Sequence, residues 1–125
     1  MKILTWAFLL SLGISAMLYA NVFEEKTLDC DAGHAKACLE AGKIYSAQAY
    51  KAKNYDKEQA ASKVASLYKK SCHLGDAKGC TAYALIYTAD TKKDHQKNAQ
   101  YYLQKGCDGG DDIACTTLKM MHLAE

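Results

Sequence analysis

At 125 residues and a formal charge of +2, the chain has room for one domain with a small core, which excludes an elaborate multidomain enzyme and gives no bulk charge to attract nucleic acid. Every basic residue is a lysine, so the planar arginine fork that grips phosphate in two places is missing as well. There is no proline, and six cysteines are spaced along the chain.

Residues 1–20 read as a secretory signal peptide. Lys2 supplies a positive start, Ile3 to Leu12 form a short apolar run, and small residues stand at Gly13, Ser15, Ala16 and Ala20. Cleavage is expected after Ala20. The run is shorter than the roughly 20 apolar residues of a spanning helix and meets Asn21 and Glu24 abruptly. An even number of cysteines behind such a leader implies export to an oxidising compartment, secreted or periplasmic.

From residue 21 onward the pattern is helical. Val22, Phe23 and Leu28 make a short amphipathic helix leading into Cys30. Apolar or small residues then recur at threes and fours (Ala35, Cys38, Leu39, Gly42, Ile44, Tyr45 and Ala49), predicting a helix to about Tyr50. A polar loop follows, turning at Asn54-Tyr55-Asp56, with Asp56 as N-cap of a helix from Lys57 to Cys72 whose apolar side carries Ala60, Ala61, Val64, Leu67, Tyr68 and Ser71. Gly75 stops that helix. Asp76 caps the next, expected from Ala77 to about Thr88, with Ala77, Cys80, Ala84 and Tyr87 buried and Ile86 beside them. After a polar turn over 89–94, a helix from His95 to Cys107 turns Ala99, Tyr102 and Leu103 inward; Gly109-Gly110 breaks it, and Asp111-Asp112 open a last helix to about Leu123. The expected fold is all-α, with five full helices and one short one.

The cysteines form a repeat. Cys30 and Cys38 flank Gly33-His34, Cys72 and Cys80 flank Gly75-Asp76, and Cys107 and Cys115 flank Gly110-Asp111, each pair eight residues apart. The units lie 42 and then 35 residues apart, the scale of stacked two-helix repeats, with units at about 21–50, 51–88 and 89–125. In the last unit Lys119 and His122 replace Gly42/Ala84 and Tyr45/Tyr87, which reads as a polar cap. Within each unit the cysteines fall in the last turn of one helix and the opening turns of the next, so a tight hairpin brings them within bridging distance. The expected pairs are Cys30 with Cys38, Cys72 with Cys80 and Cys107 with Cys115. Neither zinc-type spacing nor a C-x-x-C pair is present, so no metal or other cofactor is expected. His34 and His73 beside the cysteines read as solvated turn residues, because bridged cysteines leave no thiolate to activate.

The segment Y-x-K-S-C-x-x-G-D-A-x-x-C-x-x-x-A-x-I-Y from Tyr68 to Tyr87, echoed from Cys30 to Tyr45, resembles the Sel-like repeat family. These repeats are relatives of the tetratricopeptide repeat, and the likeness is to their disulfide-bridged branch, the Helicobacter cysteine-rich proteins. The resemblance implies an αα-superhelix with one disulfide per repeat in a secreted or periplasmic protein. It also implies two activities: beta-lactam hydrolysis or weak penicillin binding, associated with the bridged branch, and adaptor roles in protein assemblies, found in the wider family.

For the hydrolase, Ser66 and Lys69 form an S-x-x-K, spaced to share a helix face, but the S-D-N and K-T-G elements that complete such a pocket are missing. For a binding protein, tyrosine offers broad contact area with a polar tip. Tyr45, Tyr68 and Tyr87 occupy motif positions expected to pack between helices, leaving Tyr50, Tyr55, Tyr83 and Tyr101 as expected contact residues. The reading is an exported, disulfide-stapled repeat scaffold for a protein, peptide or peptidoglycan-type ligand, with beta-lactam hydrolysis as the alternative.

Overall fold

The computed structural model describes residues 21–52, 56–88 and 92–123, and over these the chain is helical with no strand. Residues 21–31 form α1; Ala35–Lys51, Lys57–His73, Ala77–Leu85, Lys93–Asp108 and Asp112–Leu123 form α2 to α6. The expected leader and its cleavage site lie outside the described residues, as do residues 53–55 and 89–91 of the two longer connections.

One turn is built three times, between α1 and α2, α3 and α4, and α5 and α6. The first helix ends with a glycine at positive φ (Gly33 at 98°, Gly75 at 102°, Gly110 at 97°), a backbone state that costs a side-chain-bearing residue about 1 kcal/mol or more. This glycine and the residue after it close the helix with two reverse bonds. In the central turn Gly75 N–H donates to the Cys72 carbonyl at 3.0 Å and Asp76 N–H to the Ser71 carbonyl at 3.1 Å; Gly33 with His34 and Gly110 with Asp111 repeat the pattern. The residue that finishes one helix is therefore also the N-cap of the next. Asp76 accepts from Lys78 N–H at 2.9 Å and Asp111 from Ile113 N–H at 3.4 Å, whereas the His34 side chain makes no capping bond. Asp56 caps α3 as expected, accepting from Glu58 and Gln59 N–H.

This geometry places the penultimate residue of the first helix against the fourth residue of the second. Those are the cysteines: Cys30–Cys38, Cys72–Cys80 and Cys107–Cys115 are bridged, with Cα separations of 4.5, 4.3 and 4.7 Å. Small side chains make the close approach possible. A β-carbon on Gly79 would run into Ser71 and the Cys72 backbone, and one on Gly106 into Thr81 and Ala114.

Consecutive helices from α2 to α6 pack on one another, and α2 also reaches α4. Tyr68 lies over Gly42, which has no side chain to obstruct it. The core is correspondingly thin: Ala84, Leu103, Ala114 and Leu118 form one buried cluster, and Cys30, Ala37 and Cys38 with Leu67 another. Lys26 of α1 pairs with Glu40 of α2 at 2.7 Å within the first unit, and Lys70 of α3 pairs with Asp31 at 2.9 Å between the second unit and the first.

Two helix boundaries and several burial expectations differ from the sequence reading: Val22 and Leu28 of α1 are exposed, and Ala77 and Tyr87, expected buried, are part-buried. α4 stops at Leu85 rather than Thr88, because Tyr87 N–H bonds the Ala84 carbonyl in a tighter turn and the Thr88 hydroxyl takes the Leu85 carbonyl. α5 opens at Lys93, two residues before His95, with Asp94 in the first turn where a carboxylate favours helix. Ile86 is exposed because α4 has ended before it, and Ala61 is exposed on α3.

Candidate functional site

Tyr83 lies on α4 and Tyr87 in the tight turn that follows it, and α5 carries Tyr101, Tyr102 and, one turn after Tyr101, Lys105. Packing of α4 on α5 joins them. The Tyr83 ring stands edge-on to Tyr102 at 4.6 Å and to Tyr87 at 5.3 Å, and Tyr102 meets Tyr101 at 5.1 Å. Histidines extend it, with His95 5.4 Å from Tyr87 at one end and His73 of α3 stacked at 6.4 Å from Tyr102 in the middle. Edge-to-face pairs at these separations are favourable beyond the area they bury.

Two lysines lie over this surface, Lys69 Nζ 5.8 Å from the Tyr83 centroid and Lys105 Nζ 5.3 Å from that of Tyr101. Tyr83 and Tyr87 bring their hydroxyl oxygens to 3.5 Å. Burial, with this hydrogen bond second, pushes the Tyr83 phenol well above its ordinary value, so it is neutral across physiological pH. A smaller counterpart exists in the first unit, where Phe23 and Tyr45 are 5.6 Å apart under Lys63, whose Nζ lies 4.6 Å from the Tyr45 centroid. The main cluster thus presents ring faces, hydroxyls and ammonium groups across α3, α4 and α5, a combination that holds apolar or planar groups beside carboxylates or hydroxyls.

The structure sorts the expected residues. It joins Tyr83 and Tyr101 through Tyr102, with Tyr101 57 % exposed and Tyr83 half-buried. Tyr50 is 84 % exposed near the end of α2 and takes part in no ring contact among the described residues. Tyr55 lies outside them. Tyr45, Tyr68 and Tyr87 are part-buried between elements, as their motif positions implied. Ser66 is exposed, and Lys69 reaches to the Tyr83 ring; no hydrogen bond links serine and lysine among the described residues. His34 and His73 are exposed, as expected, but His73 also stacks on Tyr102.

Tyr102, Lys69 and Lys105 are members of this surface that the sequence reading did not place in a binding site. The Tyr101/Lys105 spacing was a helical signal available for one of them; the meeting of Tyr83 with Tyr102 depends on how two helices pack. All six cysteines are bridged, and no cluster of histidine, cysteine and carboxylate among the described residues is placed to hold a metal. No helix of the described residues is long and apolar enough to cross a membrane. Comparison with family models, curated proteins and solved structures finds no match for the chain.

Proposed function

We propose that this chain is an exported, disulfide-stapled repeat scaffold of the Sel-like, tetratricopeptide-related kind, and that it binds a protein, peptide or cell-wall ligand through the tyrosine face of α3, α4 and α5. The observation that carries the reading is the joining of Tyr83, Tyr87, Tyr101 and Tyr102 into one ring cluster under Lys69 and Lys105. Aromatic side chains backed by rigid helices lose little conformational freedom on binding, which favours them as anchors. The central bridged turn joins α3 to α4, which carry part of the cluster, and three disulfides fit a protein that works in an oxidising compartment.

Capture from an envelope extract of the host tests the reading. Wild-type protein should retain a specific partner, Tyr101→Ala with Lys105→Ala should lose most of it, and Tyr50→Ala should retain it; equal recovery by the double variant would remove the face from the site. Ser66 is expected to form no adduct with excess labelled penicillin, as read by intact mass. An adduct that disappears in Ser66→Ala would make beta-lactam chemistry the primary function instead.

A further inference from the structure

The three bridged turns are equivalent in sequence and unequal in burial. Cys30 and Cys38 are fully buried, and Leu67 of α3 packs on them. Cys72 and Cys80 are 5 % and 4 % exposed. Cys107 and Cys115, by contrast, are both only part-buried. Helix packing accounts for the difference: α4 lies against α2, α3 and α5, whereas α6 packs on α5. The last turn also has less side chain to cover its bridge. Gly109 stands where the central turn has Leu74, because a β-carbon there would run into Ala77 of α4, and Asp108, Gly109 and Gly110 are all exposed.

Thiol–disulfide exchange requires a thiolate to reach a bridge sulfur, so in a folded protein access decides which bridge reacts. We propose that Cys107–Cys115 is a thiol-exchange site, opened and closed by an external dithiol of the kind a thiol–disulfide oxidoreductase carries, while Cys30–Cys38 and Cys72–Cys80 stay closed. One thiolate of the dithiol attacks a sulfur of the bridge, forming a mixed disulfide and expelling the other cysteine as thiolate, which takes a proton from water. The second thiol of the reductant then attacks the mixed disulfide. Two electrons have passed to the protein, leaving Cys107 and Cys115 as thiols and the reductant as its own disulfide.

The fold provides for the reverse step. Ala114 and Leu118 of α6 are buried with Ala84 and Leu103, contacts that hold α6 without the bridge. The turn has two backbone bonds of its own, Gly110 N–H donating to the Cys107 carbonyl at 3.0 Å and Asp111 N–H to the Gly106 carbonyl at 2.9 Å. The two thiols therefore stay neighbours after reduction, and reoxidation restores the same pair. The site does not rest on the tyrosine-face reading.

Dithiothreitol serves as the probe. The folded, fully oxidised protein is exposed to it without denaturant, free thiols are blocked with N-ethylmaleimide at intervals, and the labelled cysteines are mapped by peptide mass. Cys107 and Cys115 should be labelled about tenfold or more faster than the other four cysteines, and reoxidation before blocking should return the mass of the fully bridged protein. With glutathione, a monothiol, the trapped adduct should be confined to Cys107 or Cys115. Opening of all three bridges together, earlier opening of either buried bridge, or glutathione on any of the other four cysteines would overturn the proposal. No envelope partner enters this experiment, so its failure leaves the tyrosine-face reading untouched.

Discussion

Ser71 is fully buried, and its hydroxyl has no hydrogen-bond partner among the described residues. It sits where α3 crosses the start of α4, directly over Gly79, so what matters there is small size rather than polarity. Removing a buried, unsatisfied hydroxyl recovers its desolvation cost. Ser71→Ala should therefore raise stability by about 1 kcal/mol in denaturant unfolding with the disulfides intact; a loss of stability would mean that the hydroxyl has a partner. Gly75→Ala isolates the opposite case. Nothing lies within 4 Å of the added β-carbon, so the expected loss of about 1 kcal/mol comes from positive φ alone. The phenols supply a pH signal: burial raises the Tyr68 and Tyr83 values above the ordinary 10.0. The unfolded chain then gives up those protons first as pH rises past about 10, so stability is full below that point and falls above it. Tyr83→Phe should flatten this alkaline loss; an unchanged slope would show that Tyr83 does not contribute to it.

At the scale of elements, the bridged turn is a complete folding signal, and this explains why it was legible in sequence. The glycine at the end of the helix, the cap at Asp76 or Asp111 and the eight-residue cysteine spacing act within one short stretch, so each could be read without knowing the rest of the fold. The helix ends at Leu85 and Lys93 were less legible, because they are set by a tightened turn and a hydroxyl bond rather than by a glycine or proline. The tyrosine face was only half legible for the same reason. Its residues were visible, but the Tyr83–Tyr102 contact joins two helices. Replacing Cys72 and Cys80 by alanine should cost on the order of 2–3 kcal/mol by the loop-entropy account, and Asp76→Ala about 1 kcal/mol through its cap. Thermal unfolding of each variant checks these values, and a central bridge that can be removed without effect would contradict its role as a staple.

For the molecule as a whole, the repeat equivalence sets α6 beside α4, position by position. On α4, Thr81 meets Gly106 and Ala84 packs with Leu103, both from α5, and Ala77 meets Gly109 just after it. The corresponding residues of α6 are Asp112, Thr116 and Lys119, and all three are exposed. Ile113 and Met120 are exposed beside them, so the outer face of the last helix mixes polar and large apolar side chains. The tyrosine cluster is carried by three consecutive helices, α3 and α4 joined by the central bridged turn and α5 packed on α4 through Ala84 and Leu103, which is the basis for assigning binding to that face. The most direct measurement is tyrosine nitration with and without envelope extract, mapped by peptide mass. In isolated protein both Tyr50 and Tyr101 should react, since both rings are exposed. With extract present, Tyr101 should be protected while Tyr50 continues to react. Equal modification of Tyr101 under the two conditions would contradict a binding role for the face.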